Sequence, residues 1–368
     1  MASPLRFYEF FAGGGMARLG LGGAWACVFA NDFDPRKAAA YRANFGGEHF
    51  HEGDVWRLTA ADLPGQADLA WASSPCQDFS LAGGRAGLMG GKSSAFFGFW
   101  RLIEALAKEG RAPRAIVIEN VVGLFTSHGG HDFEAVCAAL AGAGYRFGAL
   151  ELDAAAFLPQ SRPRCVIVAT LDPPAALPPG APPTRAVREA RARLHPDLRW
   201  RWIDWRMALP PRRNLDLAAV LEPDDAVVWR SEAETARLLT QMDDLHRARL
   251  DAALASRERR VGTAFRRMRG DHQRAEVRFD GLAGCLRTPR GGSSRQLVIV
   301  AEAGRVRSRW LTAREAARLM GLPDSYVLPR TENAGLHLAG DGVVVPMVRR
   351  LAADILEPLL AAQPAKAA

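Results

Sequence analysis

Cysteine is scarce, with five in 368 residues, and Cys27, Cys76, Cys137, Cys165 and Cys285 stand far apart. No two form a CxxC pair, so neither a zinc site nor a disulfide framework is indicated, and no bound metal is expected. Dispersed thiols in odd number fit a reducing compartment, which makes the cytoplasm the expected location. Long apolar runs are missing too. None approaches the roughly 20 residues that a membrane-spanning helix needs, and the opening MASPLRFYEFFAGGG lacks the basic start and long apolar core of a signal peptide. No segment repeats, and the glycine turn GGGMARLG is not a GxGxxG turn. Nearly all basic residues are arginine, and they are unevenly placed: residues 184–310 hold 27 basic against 17 acidic side chains, more than the whole net charge of +8. Such a block suits a polyanionic partner, because neutralising phosphates releases counterions. By charge alone a solvated basic face would look the same.

With 48% hydrophobic and 24% charged residues the chain reads as an ordinary globular protein, and its length suits one large domain plus a smaller one. Residues 6–170 alternate short apolar strands (RFYEFF, ACVFAN, DLAWAS, RAIVIE, FGALEL, RCVIVA) with helical patterns near 16–22, 35–44, 94–109 and 131–141. This predicts an α/β fold, a Rossmann-like parallel sheet covered on both faces. PPAALPPGAPP at 173–183 holds six prolines in eleven residues and reads as a semi-rigid linker. The basic segment follows, with RWRWIDWR at 199–206, whose Trp200, Trp202 and Trp205 are expected in the small domain's own core, and a helix expected from 231 to about 260. LTAREAARLMGL at 311–322 reads as a helix behind a threonine N-cap. The expected division is 1–172 for the cofactor-binding domain, 173–183 for the linker, 184–305 for a basic recognition domain and 306–368 returning to the first.

FYEFFAGGGMARLGLG at 7–22 is a strand, a glycine turn and a helix, where Gly13 and Gly15 let backbone approach a ligand. The next strand ends in Asp32, placed to accept from a ribose or to cap a helix, and the third tip supplies Asp54 in the same topological position. Three successive strand ends point to an adenosine-type cofactor. The fourth precedes SPCQDFS at 74–80, where Cys76 sits between Pro75 and Gln77, out on a turn. Residues 80–92 then carry five glycines, enough for a loop that closes over a substrate. Cys76 reads as a nucleophile whose thiolate the site must favour, or as a small buried hydrophobe. RAIVIENV ends in Glu119, buried behind four apolar residues and suited either to a ring nitrogen or to helix capping. In PQSRPRCVIVA, Arg162 and Arg164 fall on one face of extended chain just before another apolar strand, where a surface ion pair would account for them equally.

SPCQDFS, IENV and QSRPR, in this order behind FAGGG, resemble the DNA cytosine-5 methyltransferases of the bacterial type. LRTPRGGSSRQ, LTAREAARLMGLP and AGDGVVVP resemble the later motifs of that family, so the resemblance covers about residues 7–170 and 285–350. Residues 171–284 fall where members carry a variable target-recognition region. The resemblance implies S-adenosylmethionine held by Phe11, Gly13, Gly15, Asp32, Phe33, Asp54, Pro75 and Asp341. It implies that Cys76 adds to C6 of a cytosine swung out of double-stranded DNA, that Glu119 holds N3 and the exocyclic amine, and that Arg164 with Arg162 grips O2. Gln77, Ser80, Arg287, Arg290 and Arg295 are the expected DNA contacts, and the arginine run at 257–270 the expected phosphate contacts. The expected state is a monomer acting on nucleoid DNA, either as a solitary enzyme or beside a cognate restriction endonuclease. Three departures stand out: Met16 and Ala17 stand where a second glycine pair followed by an aromatic is usual, with Phe7 or Phe29 as candidate substitutes for the lost stacking; KSSAFF at 92–97 replaces the charged residues usual after the catalytic loop; and Asp341 stands where asparagine is usual. Competing readings are an RNA cytosine methyltransferase of the same fold, a non-catalytic DNA-binding relative and a nucleotide-dependent oxidoreductase. The long basic segment favours duplex DNA, a pure binder has no use for Cys76, Glu119 and Arg164 together, and an oxidoreductase gives no reason for PCQ.

Overall fold

The computed structural model describes residues 3–75, 95–174, 176–177, 179–208, 213, 215–288 and 295–361. The chain forms two compact units, one of Met1–Leu152, Pro163–Leu209 and Val345–Ala368, the other of Asp153–Arg162 and Pro210–Val344. These boundaries differ from those expected: the proline-rich stretch lies inside the first unit, and only the last segment, from Val345, rejoins it. No helix among the described residues is long and apolar enough to cross a membrane.

In the first unit β1 (Leu5–Phe10), α1 (Met16–Leu21), β2 (Trp25–Asp32), α2 (Pro35–Phe45), β3 (Phe50–Glu52), β4 (Leu69–Ala72), α3 (Ala95–Lys108), β5 (Ala115–Val121), α4 (His131–Gly142), β6 (Arg146–Asp153) and β7 (Pro163–Thr170) build a seven-stranded sheet of order β3-β2-β1-β4-β5-β7-β6. β1, β2, β3, β4 and β5 pair in parallel as expected, but β7 runs antiparallel to β5. The reason is the short connection between β6 and β7, which holds no helix longer than the single 3-10 turn Ala154–Ala156. A parallel return needs a crossover of a dozen residues or more.

The apolar residues of α3 recur at helical spacing. Phe96, Phe99, Trp100, Ile103 and Leu106 are buried against Tyr8, Phe10, Ile116 and Ile118 of the strands. Each such side chain contributes about 1.5–3 kcal/mol when fully buried. α1 meets the helix Val345–Leu351 at Gly20, where an added Cβ would stand 2.5 Å from that of Val348. Only glycine allows that approach.

RWRWIDWR does not form a second domain's core. Phe147 N–H donates to Arg201 O, and Ile203 N–H donates to Phe147 O, so this segment covers the edge strand β6. Trp202 packs edge-on against Phe133 and Phe147, and Trp205 Nε1 donates to Val168 O at 2.8 Å, both inside the first unit. Trp200 is 62% exposed, with the Arg201 guanidinium over its ring. α5 (Arg185–Arg193) adds Val187 and Ala190 to the same core.

The second unit is an antiparallel sheet, order β11-β10-β8-β9, of β8 (Arg260–Arg269), β9 (His272–Arg278), β10 (Leu297–Glu302) and β11 (Arg305–Trp310). The single helix expected from 231 is two, Glu232–Leu239 and Asp244–Ala255, because Asp243 starts a new helix by accepting from His246 N. Leu238, Met242 and Leu250 pack against Ala264, Leu297 and Ile299 of the sheet. The helix Ala313–Leu319 begins at Thr312, whose hydroxyl and the Glu315 carboxylate form a reciprocal cap. Glu315 also closes on Arg309 through two bonds of 2.8 and 2.6 Å, with both side chains essentially inaccessible.

Candidate active site

The turn after β1 is held in left-handed backbone at Phe11 (φ 56), Gly13 (φ 55) and Gly15 (φ 76). That conformation is natural to glycine and costly for phenylalanine, so the surroundings must impose it on Phe11. Asp32, at the tip of β2, supplies one of those constraints. Its Oδ2 accepts from Gly13 N at 2.8 Å and its Oδ1 from Asp34 N at 2.9 Å, joining the glycine turn to the start of α2. Burial pushes this carboxyl up from its ordinary range, against the pull of Lys37 and of the two amides. Asn31 ties the same tip to the next strand by donating to His51 O and Gly53 O. Asp54 is exposed and caps the 3-10 turn Val55–Arg57 through Trp56 N.

Beside these carboxylates the ring of Phe33 is 67% exposed, and a Cβ placed on Gly13 would meet nothing within 4 Å. An uncovered aromatic ring, two strand-tip carboxylates and open space over a glycine form a surface that fits an adenosine-type group. Phe7 and Phe29 do not join it. Phe7 is buried edge-on against Trp25, and Phe29 is buried among Tyr8 and Phe10, so the substitute stacking considered for them is corrected.

Behind the turn lies a residue that the sequence pattern does not single out. Glu9 on β1 is 1% exposed; Oε1 accepts from Arg18 N at 3.2 Å, while Oε2 has no hydrogen-bond partner among the described residues. Burial, against the pull of Arg18, raises its pKa to about 8. The one available signal is a single acid inside the apolar run FYEFF.

Pro75 is exposed and is the last described residue before Cys76. Cys76, Gln77, Ser80 and Arg290 lie outside the described residues. The approach to Cys76 is fastened by Asn120, whose Nδ2 donates to Ser74 Oγ at 3.2 Å and Ser74 O at 3.3 Å. Asn120 is a second site residue beyond those expected, and a buried amide beside Glu119 at a strand end is its signal. Of the other thiols, Cys27 is pushed up to about 12 by burial and the nearby Glu9, and burial raises Cys137 and Cys165 well above the ordinary range. These three are inert as nucleophiles at neutral pH.

Glu119 and Arg164 come together. In the antiparallel register of β5 and β7, Val121 faces Arg164, so Glu119, two residues back, points to the same side. Arg164 Nε stands 3.0 Å from Glu119 Oε1, with both side chains nearly buried. Arg162 does something else. It is 2% exposed, and its guanidinium donates to Leu286 O, Gly340 O and Gly342 O at 2.7–2.9 Å. Arg162 lies before β7 and its fork is committed to backbone carbonyls, so of the two arginines that the resemblance implied only Arg164 meets Glu119. The carbonyls of Gly340 and Gly342 flank Asp341, the exposed last residue of the helix Glu332–Asp341. Arg287 is exposed, in keeping with a surface contact. Arg295 is built into its own unit: it donates to Leu311 O, pairs with Glu332 at 3.2 Å and lies over the Trp310 ring. No cluster of side chains suited to a metal ion occurs among the described residues.

The family described as C-5 cytosine-specific DNA methylase matches residues 5–207 and 224–357 of this chain. Type II methyltransferase M.HaeII of Haemophilus aegyptius is 28% identical over 95% of this chain and 92% of its own length. Type II methyltransferase M.BsuFI of Bacillus subtilis is 27% identical over 98% of this chain and 74% of its own. Among solved structures, the Dnmt2 methyltransferase of S. pombe superposes with a TM-score of 0.62 at 21% identity, covering 96% of this chain and 99% of that one, a likeness of fold.

Proposed function

Because the chain belongs to the C-5 cytosine-specific DNA methylase family and is an enzyme that methylates cytosine at C5 in DNA, we propose that Cys76, Glu119 and Arg164 carry out the transfer on a base swung out of double-stranded DNA. The observation that carries this reading is the Glu119–Arg164 pair at the end of the strand beside the one that leads to Cys76. The pairing edge of cytosine presents O2 and N3 as acceptors and the exocyclic amine as a donor. A guanidinium beside a carboxyl group at 3.0 Å is complementary to it when that group carries a proton: Arg164 donates to O2, and Glu119 donates its proton to N3 while its other oxygen accepts from the amine.

Carbon 5 of cytosine is a poor nucleophile. The Cys76 thiolate adds at C6, forming the S–C bond while the C5–C6 π pair moves onto C5. Arg164 at O2 and Glu119 at N3 favour this by drawing charge from the ring. Once C5 carries the methyl group it loses its proton, the π bond re-forms and the thiolate leaves. Swinging the base out costs a few kcal/mol, which the contacts to the ring offset. Cys27, Cys137 and Cys165, held protonated, offer no rival nucleophile.

The methyl donor of this reading is S-adenosylmethionine, with Phe33 against the adenine and Asp32 and Asp54 as acceptors around the left-handed turn of Phe11, Gly13 and Gly15. Bound there, it supplies an electrophilic methyl group on a sulfonium. Asp32 is already committed to two amides, so its first task is to keep the turn open. We place the enzyme in the cytoplasm on nucleoid DNA, with a cognate restriction endonuclease as its counterpart, in keeping with the Type II names of its relatives. Those names and the DNA-specific family favour DNA over RNA.

The test is a duplex carrying 5-fluorocytosine at a site the enzyme methylates. Fluorine cannot leave as a proton does, so the wild-type chain is expected to form an adduct that survives denaturation, and Cys76→Ala to form none. Methyl transfer by Cys76→Ala, or no wild-type adduct at a methylated site, would remove Cys76 from the mechanism.

A further inference from the structure

Glu9 takes no part in the methyl transfer, yet it stands directly behind the glycine turn. On β1 it pairs with Ala30 of β2, so its side chain and that of Asp32, two residues on, leave the same face of the sheet. The two carboxyls bracket the turn of residues 11–15. Asp32 holds its middle through Gly13 N, and Glu9 holds the helix that leaves it through Arg18 N.

The wall around Glu9 is built by α1, β2 and α2. Arg18, on α1, commits its guanidinium to α2 and the loop beyond it: Nη1 donates to Tyr41 Oη at 3.1 Å and to His49 Nε2, and the group lies over the Phe45 ring at 4.8 Å. A guanidinium can only donate, so His49 presents a lone pair at Nε2 and is neutral, as its burial and Arg18 favour. Tyr41 and Phe45 press on the turn itself, since a Cβ added to Gly15 would stand 2.5 Å from the Phe45 ring. From β2, Cys27 Sγ lies 3.5 Å from Tyr41 Oη. Lys37 stands near Asp32, and Glu48 near His49. On the other side β4 sets Trp71 opposite Glu9, and Arg349 of the helix Val345–Leu351 meets α1 at Leu21 O. Of the charged groups around Glu9, Arg18 favours its carboxylate and Asp32 opposes it. Its Oε2 has no hydrogen-bond partner among the described residues.

We propose that Glu9 is a positioning residue for the cofactor, and that only its protonated form keeps the turn of Phe11, Gly13 and Gly15 in the shape that receives the adenosyl group. The inference rests on the reading of this turn as the cofactor's seat. Once ionised, Glu9 faces the Asp32 carboxylate diagonally across two strands with a single amide to answer its charge. Water or the Arg18 guanidinium can relieve it. Either movement takes α1 or Arg18 away from the wall of Tyr41 and Phe45, and the turn loosens. Burial places the carboxyl at about 8, so the competent form prevails below that value and is lost as pH rises through it.

The experiment measures binding of S-adenosylhomocysteine, the demethylated cofactor, to the full chain by calorimetry from pH 6.5 to 9.5. Glu9→Gln has the shape of the protonated acid without its titration. Between pH 7 and 9 the wild type is expected to lose about tenfold more affinity than this variant. The ligand's own amine titrates at about 8 too, but equally against both proteins, so the difference between them isolates Glu9. Arg18→Gln keeps a donor for Tyr41 and His49 and removes the charge that favours ionised Glu9; it is expected to hold its affinity to higher pH than the wild type. Parallel wild-type and Glu9→Gln profiles, at equal or uniformly different affinity, would overturn the proposal, as would an Arg18→Gln profile that does not move to higher pH. Phe33→Ala separates the two levels: weaker binding at pH 7 beside parallel Glu9 profiles sinks the positioning role alone, and unchanged binding sinks the seat beneath it.

Discussion

In the seven-stranded sheet Glu9 is buried with one carboxylate oxygen bonded to Arg18 N and the other unpartnered among the described residues, whereas in the four-stranded unit Arg309 and Glu315 are buried face to face through two short bonds. Both acids are out of water. The paired one is satisfied by geometry, with Glu222 N and Thr312 N donating to its two oxygens as well. The lone one is held toward its protonated form, since burial raises the free energy of the charged carboxylate by more than the nearby Arg18 lowers it. One arrangement is insensitive to solution conditions and fragile to mutation; the other is the reverse.

The sharpest way to break that contrast is to remove half of the closed pair. Glu315→Ala leaves the Arg309 guanidinium buried and also strips the N-terminal cap from the helix Ala313–Leu319. The expected loss is about 3–5 kcal/mol in denaturant unfolding. Replacing both, Arg309→Met with Glu315→Leu, is expected to cost less than the single change, because no uncompensated charge remains. A single variant as stable as the wild type would show that the pair is not closed off from water.

An effect spread over several pH units separates the lone acid from the pair. In the unfolded chain a glutamate carries its proton only below about 4.3, while in the folded protein Glu9 keeps it up to about 8. Between those values the folded state binds the extra proton, so Glu9's contribution to stability is fully present below the unfolded pKa and is lost as pH rises through the folded one. The slope is on the order of 1 kcal/mol per pH unit in that window. Glu9→Gln keeps the shape, removes the titration and is expected to flatten thermal stability between pH 5 and 8. Parallel wild-type and variant profiles would mean that Glu9 is ionised and paired.

The same contrast explains what is legible in the residues alone. Buried parallel strands are near-continuous apolar runs, so β1, β2, β4 and β5, and the residues at their tips, stand out; with them come Asp32, Asp54, Glu119 and the exposed Phe33. The direction of β7 is carried by the short connection before it and not by its own residues. Trp202 and Trp205 announce burial without saying against what, and the answer is the open edge of β6. Arg162 and Arg164 look alike at a spacing of two, yet one meets a carboxylate on the neighbouring strand and the other meets carbonyls more than 120 residues away. Arginine counts show charge, and only packing separates Arg309, closed on its acid, from Arg267, which stands opposite Arg274 across β8 and β9.

At the far end of the scale lies a pair as close as Arg309–Glu315, through one bond in place of two and with none of its burial. On α5, Arg185 Nε and Glu189 Oε1 stand 2.6 Å apart at helical i, i+4 spacing, with side chains 86% and 49% exposed. The contact raises the arginine pKa and lowers that of the glutamate, each through the hydrogen bond first and the opposite charge second. Water and salt screen both charges, and holding two long side chains together costs entropy, so a short distance at the surface is no measure of stability. Glu189→Gln is expected to leave the unfolding midpoint where it was, at 50 mM and at 500 mM salt alike. A measurable fall at low salt that vanishes at high salt would show that the pair acts on the fold electrostatically, and the distinction between closed and open ion pairs would then rest on less than burial.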